Sequence, residues 1–184
     1  MVLTINSEHW LAQGRHVPSP YYDVREDEQD ISLLVIHNIS LPPGQFGGPY
    51  IEQLFTGTLD PAEHPYFAEI HQLRVSAHCL IRRDGEVVQF VPFHARAWHA
   101  GRSEFDGREK CNDFSIGIEL EGTDTLPYTS AQYDTLTALT RALQTAYPKI
   151  SRTRITGHEF IAPGRKTDPG LAFDWRRYKT ALND

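Results

Sequence analysis

Nine histidines in 184 residues is a high count. Imidazole is the commonest metal ligand, so the histidines are the first place to look for chemistry. His37 lies at the end of the apolar run ISLLVIHN (31–38), just before SLPPGQFGGP (40–49), which has three Gly and three Pro in ten residues and must be loop. Strand ends in α/β sheets are where sites form, because the loops there vary without breaking the core. On the residues alone, His37 reads either as a metal ligand or as a satisfied, partly buried histidine. A second segment, TGHEFIAPGRKTDPG (156–170), carries His158 and Asp168 ten residues apart on a chain stiffened by Pro163 and Pro169. Two His and one Asp form a sound ligand set for zinc, with a fourth position left for water. The segment lacks the helical HExxH spacing and, alone, reads more readily as a polar surface loop. The third feature is Glu119 in FSIGIELE (114–121). Ser115 and Gly117 share its strand face, and small residues beside a lone carboxylate leave room for a ligand. An exposed carboxylate on a half-wet sheet is the plainer alternative.

These residues need a frame. The β-branched run 31–38 predicts a buried strand. Residues 76–92 predict a hairpin, with SAHCLIRR and EVVQFVP flanking a two-residue Asp84-Gly85 turn. In 114–121 the alternation sends Phe114, Ile116, Ile118 and Leu120 one way and Ser115, Gly117, Glu119 and Glu121 the other. Thr129 followed by Gln132 is a capping-box signal. Behind it Tyr133, Leu136, Leu139, Leu143 and Tyr147 line one helical face until Pro148 stops the helix. Short helices are expected from Pro49 to Phe55, over 61–72 where Pro65 interrupts, and from Asp174 to about Leu182; Arg154–His158 suits a last short strand. The order predicts one α/β domain over 1–184, a mixed central sheet flanked by helices, with 1–16 as an N-terminal arm.

Composition narrows the partners. Hydrophobic residues make up 40% and charged residues 23%, as in ordinary globular proteins. A net charge of −6 with no Lys/Arg run argues against nucleic acid or an anionic membrane as partner. No apolar stretch approaches the ~20 residues of a membrane span. The opening MVLTINSEHW has no basic region followed by an apolar one, so a cytoplasmic location is expected. Cys79 and Cys111 form no CxxC motif, and Cys79, in an apolar segment, reads as a small buried side chain. Monomer is the default expectation.

Taken together, LLVIHN, RVSAHCLIRRDGEVVQFVPFHARAWHAG, CNDFSIGIELEG and TGHEFIAPGRKTDPG resemble the N-acetylmuramoyl-L-alanine amidase type 2 family, over about residues 17–178. That family also includes phage lysozyme-amidases and animal peptidoglycan-recognition proteins. The resemblance extends to its cytoplasmic recycling subgroup. It implies the family fold and zinc bound by His37, His158 and Asp168, where many relatives carry Cys at the third position. It matches Glu119 and Lys166 to the catalytic positions; the Lys166 role rests on the subgroup alone, since catalytic recognition proteins use other residues there. Asn38 and Arg74 resemble positions that hold the muramyl moiety, Trp98 and His99 could line the groove, and Lys110 could meet a stem-peptide carboxylate. His78 suits structural hydrogen bonding. The implied reaction is hydrolysis of the amide between the lactyl group of 1,6-anhydro-N-acetylmuramic acid and L-alanine in muropeptides, a step of peptidoglycan recycling linked in some organisms to β-lactamase induction. A non-catalytic recognition module and a signal-less endolysin acting on intact wall are the alternatives. The recognition module would be expected to lack a metal ligand. The subgroup also carries an insertion at 41–72, which could be a wall, a lid or simply a cover for the sheet.

Overall fold

The computed structural model describes residues 1–184. Ten strands form: β1 (Arg15–His16), β2 (Tyr22–Asp23), β3 (Leu33–Ile39), β4 (Cys79–Ile81), β5 (Val87–Gln89), β6 (Arg96–Ala97), β7 (Glu104–Phe105), β8 (Arg108–Glu109), β9 (Ser115–Glu121) and β10 (Ile155–Gly157). The helices are α1 (Tyr50–Thr56), α2 (Pro65–Ile70), α3 (Ser130–Ala146), α4 (His158–Ile161) and α5 (Trp175–Ala181). Six strands make the central sheet in the order β1-β5-β4-β9-β3-β10. The sheet is mixed: β4 and β5 are antiparallel, while β4, β9, β3 and β10 run parallel. The expected mixed sheet with flanking helices is therefore the observed architecture.

Alternation on the two long strands divides the core. Leu34 and Ile36 of β3 join Ile116, Ile118 and Leu120 of β9 in one cluster, closed by Tyr133, Leu136, Leu139 and Leu143 of α3 and Tyr178 of α5. Helix α3 begins as its capping box predicts: the Thr129 hydroxyl accepts from Gln132 N–H, and the Gln132 side chain accepts from Thr129 N–H. On the other side of the sheet, α1 and α2 pack Ile51, Leu54, Phe55 and Phe67 against Leu80 and Val88. Leu33 and Val35 meet Cys111 and Phe114 in a third, smaller cluster.

Several local expectations are corrected. Phe114 packs with Leu33 rather than with Ile116 and Ile118. Its backbone sits at φ −129°, ψ 11°, so the two-residue alternation starts only at Ser115. The β4–β5 turn contains three residues, not two: Arg82 N–H bonds Glu86 C=O, which leaves Arg83, Asp84 and Gly85 as the loop, with Gly85 at φ 90°. Pro65 does not interrupt its helix but opens it, with the His64 Nδ1 capping Tyr66 N–H. Residues 1–16 supply the edge strand β1 and the fully buried Leu11.

Candidate metal centre

Strand register brings the three sequence features together. His37 lies directly opposite Glu119 in the β3–β9 ladder. On the other flank, Gly157 of β10 is opposite Ile36, so His158, opening α4, stands beside His37. All three stand at the C-terminal ends of parallel strands, the usual place for a site in such sheets. Asp168 arrives on the loop after α4, held there by Glu159 N–H donating to its carbonyl.

The ligand atoms of His37, His158 and Asp168 all lie within 4.8 Å of one another. His37 Nδ1 and His158 Nδ1 are each 3.2 Å from an Asp168 carboxylate oxygen. His158 Nε2 faces the Ala100 carbonyl at 3.0 Å and donates to it. His158 Nδ1 is thereby turned toward the Asp168 carboxylate and His37, and imidazole nitrogens converging with a carboxylate in this way suit a cation between them. Two imidazoles and a carboxylate are the donor set of an open zinc site. Glu119 is buried beside them, with Oε1 3.9 Å from His37 Nδ1 and Oε2 without any hydrogen-bond partner. A buried carboxylate oxygen facing this cluster unpaired fits a site that receives a metal and its water. The residues thus fit a bound divalent ion.

The electrostatics separate the two carboxylates. Burial, and then the Asp168 charge, push the Glu119 carboxyl well above the ordinary range, against the pull of Lys166. Burial also raises Asp168, but the imidazoles of His158 and His37 outweigh it and hold the group well below that range. Burial lowers His37 to about 4, opposed by its contact with Asp168. His37 is therefore neutral and Asp168 charged at neutral pH, as metal ligands must be.

The cluster opens into a cleft of about 720 Å³. His37, Asn38, Trp98, His99, Glu119, His158, Lys166 and Asp168 all line it. Residues 41–72 contribute a wall that includes Leu54, Phe55, Tyr66 and Ile70. Arg74 and Lys110 are exposed and do not line this cleft; Lys110 borders a neighbouring one with Arg102 and Glu109. Trp98 donates its indole N–H to Asp23 at 3.2 Å and stacks near Tyr21. His78 is a structural residue: it donates to the Ala95 carbonyl and accepts from Gly117 N–H.

Two findings revise the sequence reading of this face. The space left by Ser115 and Gly117 is not free for a ligand. It is filled by the His99 ring, whose Cγ would lie 2.4 Å from a Cβ at position 117. Asn38 is engaged within the protein: its amide donates to Asp124 Oδ1 (2.7 Å), to Tyr128 Oη and to the Pro169 carbonyl.

Asp124, which sequence reasoning missed, is the hub of that network. Its carboxylate accepts from both Asn38 and Thr167, and its carbonyl accepts from Ala172 N–H. Gly170, at φ 83°, passes so close that a Cβ would lie 2.3 Å from the Asp124 Cα. The 166–170 loop, bearing Lys166 and Asp168, is thus fastened to the end of β3. Arg25 was also missed. It is 2% exposed, and its guanidinium donates to the carbonyls of Phe93, Asn112, Asp113 and Ser115.

Comparison with known proteins agrees with this geometry. The N-acetylmuramoyl-L-alanine amidase family profile matches residues 27–171. The chain is 69% identical to the 1,6-anhydro-N-acetylmuramyl-L-alanine amidase AmpD of Citrobacter freundii over 175 residues, covering 95% of this chain and 93% of that one. A crystal structure of a selenomethionine AmpD derivative superposes with a TM-score of 0.94 at 66% identity, covering 97% of this chain and 99% of the other. The amidase AmiD of Escherichia coli, solved with anhydro-N-acetylmuramic acid-L-Ala-D-γ-Glu-L-Lys, is 25% identical with a TM-score of 0.62, over 96% of this chain and 65% of its own. A sheet register that assembles His37, His158, Asp168 and Glu119 at one cleft, together with this likeness along nearly the whole chain, establishes that the chain belongs to the N-acetylmuramoyl-L-alanine amidase family.

Proposed function

We propose that this amidase uses zinc to hydrolyse the bond between the lactyl group of 1,6-anhydro-N-acetylmuramic acid and L-alanine in soluble muropeptides, in the cytoplasm, as a step of peptidoglycan recycling. The observation that carries the reading is the His37–His158–Asp168 cluster beside a buried, unpaired Glu119 carboxylate. The substrate class follows from the Citrobacter relative and from the anhydro-sugar peptide held by the Escherichia coli one.

Zinc held by His37, His158 and Asp168 would supply a water acidified toward neutrality and polarisation of the scissile carbonyl. The protein's own residues do the rest. Glu119, its proton affinity raised by burial, takes a proton from the attacking water and delivers it to the alanine nitrogen as the C–N bond breaks. Lys166, lining the same cleft, places its ammonium to stabilise the oxyanion of the tetrahedral intermediate. The 41–72 segment walls one side of the cleft. Trp98 offers a flat apolar face to the substrate, while Asn38 and His99 serve chiefly to hold the site together. Arg74 and Lys110, outside the cleft, are left to contacts with more distant parts of the muropeptide.

Product analysis by mass spectrometry tests the reading. Zinc-loaded enzyme is incubated with anhydro-muramyl tripeptide and, separately, with intact peptidoglycan. Free tripeptide from the first and little release from the second is the expected result. Preferential cleavage of intact wall would replace this reading with an endolysin, and binding of either without cleavage would replace it with a recognition module.

The Asp124 network gives a second test. Asp124→Ala removes the partner shared by Asn38 and Thr167 and frees the loop that carries Lys166 and Asp168. A displacement near 1 Å can cost on the order of 10²-fold in rate, so kcat/KM is expected to fall by about that much. Zinc content, measured in the same preparation, should stay near one per chain. Unchanged kinetics would show that the loop needs no such anchor.

A further inference from the structure

His99 has two ring nitrogens, and each meets one specific partner. Nδ1 is 2.8 Å from His37 Nε2, and Nε2 is 3.0 Å from the Ser115 hydroxyl. The backbone is fixed as firmly. The N–H groups of His99 and Ala100 both donate to Asn112 Oδ1, at 3.2 and 2.8 Å. The Asn112 and Ser115 carbonyls in turn accept from the buried Arg25 guanidinium. The ring lies over Gly117, where any side chain would displace it.

From this geometry we infer that His99 is a positioning residue that locks His37 in its metal-binding tautomer through a proton-ordered chain, His37–His99–Ser115. The inference rests on the metal reading above. His37 turns Nδ1 toward Asp168 and His158 Nδ1. For Nδ1 to ligate a metal, the neutral ring must carry its proton on Nε2. That proton is donated to His99 Nδ1, which must therefore be bare. His99 then carries its own proton on Nε2 and donates it to Ser115 Oγ. Every proton in the chain is set by the ligation of His37, and the chain in turn fixes the orientation of the His37 ring. Partners of this kind behind a ligating imidazole typically change metal affinity by about 10–100-fold. Gly117 and Ser115 follow from the same device: one gives the ring its space, the other accepts its proton.

The test has two arms. Long-range ¹H–¹⁵N spectra of the zinc-loaded wild-type protein should show both His37 and His99 protonated on Nε2 alone. Zinc dissociation constants, from competition with a chromophoric chelator, should rise about 10–100-fold in His99→Ala. His99→Asn should restore most of that loss, because its Oδ1 takes the place of Nδ1 as acceptor. Melting of the metal-free variants separates a lost fold from a lost partner. A His99 ring protonated on Nδ1, or a His99→Ala affinity within threefold of wild type, would overturn the inference. If the wild-type protein itself takes up no zinc, the metal reading fails instead, and the two failures are distinct.

Discussion

Removing the metal with a chelator will abolish turnover of anhydro-muramyl tripeptide, and adding zinc back will restore it. The expected loss is complete, because the cluster holds its reactants through one ion. The same experiment has a stability readout. A ligand present at ~1,000 times its dissociation constant stabilises the native state by about 4 kcal/mol. For a domain of this size that corresponds to a rise in melting temperature on the order of 10 °C. The structure explains why the effect should be large. Two imidazole nitrogens and a carboxylate converge within 4.8 Å of one another, and a cation among them binds all three at once in the native state alone. His158→Ala should lose activity to the same extent and should not be rescued by zinc. Turnover that persists after metal analysis shows the sample empty would remove the ion from the reaction altogether.

The frame of this site was legible in the sequence because its long elements obey simple periodicities. The run ending at His37 and the alternation through Glu119 identify β3 and β9, and the capping box with its apolar stripe identifies α3. What a single strand's pattern cannot show is which strand lies beside it. The pairing of His37 with Glu119 and the placement of His158 next to His37 come from register, a property of the assembled sheet. The resemblance supplied the ligand set that spacing alone left open.

Glu119 and Glu121 show the limit most clearly. They stand two residues apart on one strand face, and no local rule distinguishes them. In the structure, Glu121 is paired with Arg82 at 3.0 Å and accepts from the N–H groups of Gly47 and Arg83, whereas Glu119 Oε2 has no partner. The first carboxylate is structural and the second is available for chemistry. The structural role of Asn38, and Asp124 and Arg25 altogether, were illegible for a related reason. Their partners lie 86 to 90 residues away in the chain for Asn38 with Asp124 and Tyr128, and 68 to 90 for the four carbonyls that Arg25 holds. Small residues at 115 and 117 do signal a cleared face, but sequence cannot say whether substrate or a neighbouring His fills it.

Glu119→Gln is expected to reduce kcat by about 10³-fold while leaving zinc bound and the fold no weaker. Loss of a positioned general base typically costs 10²–10⁴-fold, and the amide keeps the shape of the carboxylate without its basicity. The stability half follows from linkage. The folded-state pKa of Glu119 is raised above its unfolded value, chiefly by burial. Such a group contributes stability that is fully present below the unfolded value of 4.5 and is lost as pH rises through the folded one. At neutral pH the wild-type protein bears that cost and the glutamine variant does not. Metal-free Glu119→Gln should therefore melt at or above the wild-type temperature at pH 7, with any advantage shrinking as the pH falls toward 4.5. Thermal melts at several pH values, run beside turnover and zinc analysis, measure all three quantities. Full turnover would exclude Glu119 as the base. Lost turnover accompanied by lost zinc would make the carboxylate a fourth ligand rather than a proton carrier. Only the combination of slow turnover, retained zinc and an undiminished melting temperature at pH 7 identifies a carboxylate kept buried and unpaired, at a cost in stability, for the proton it moves.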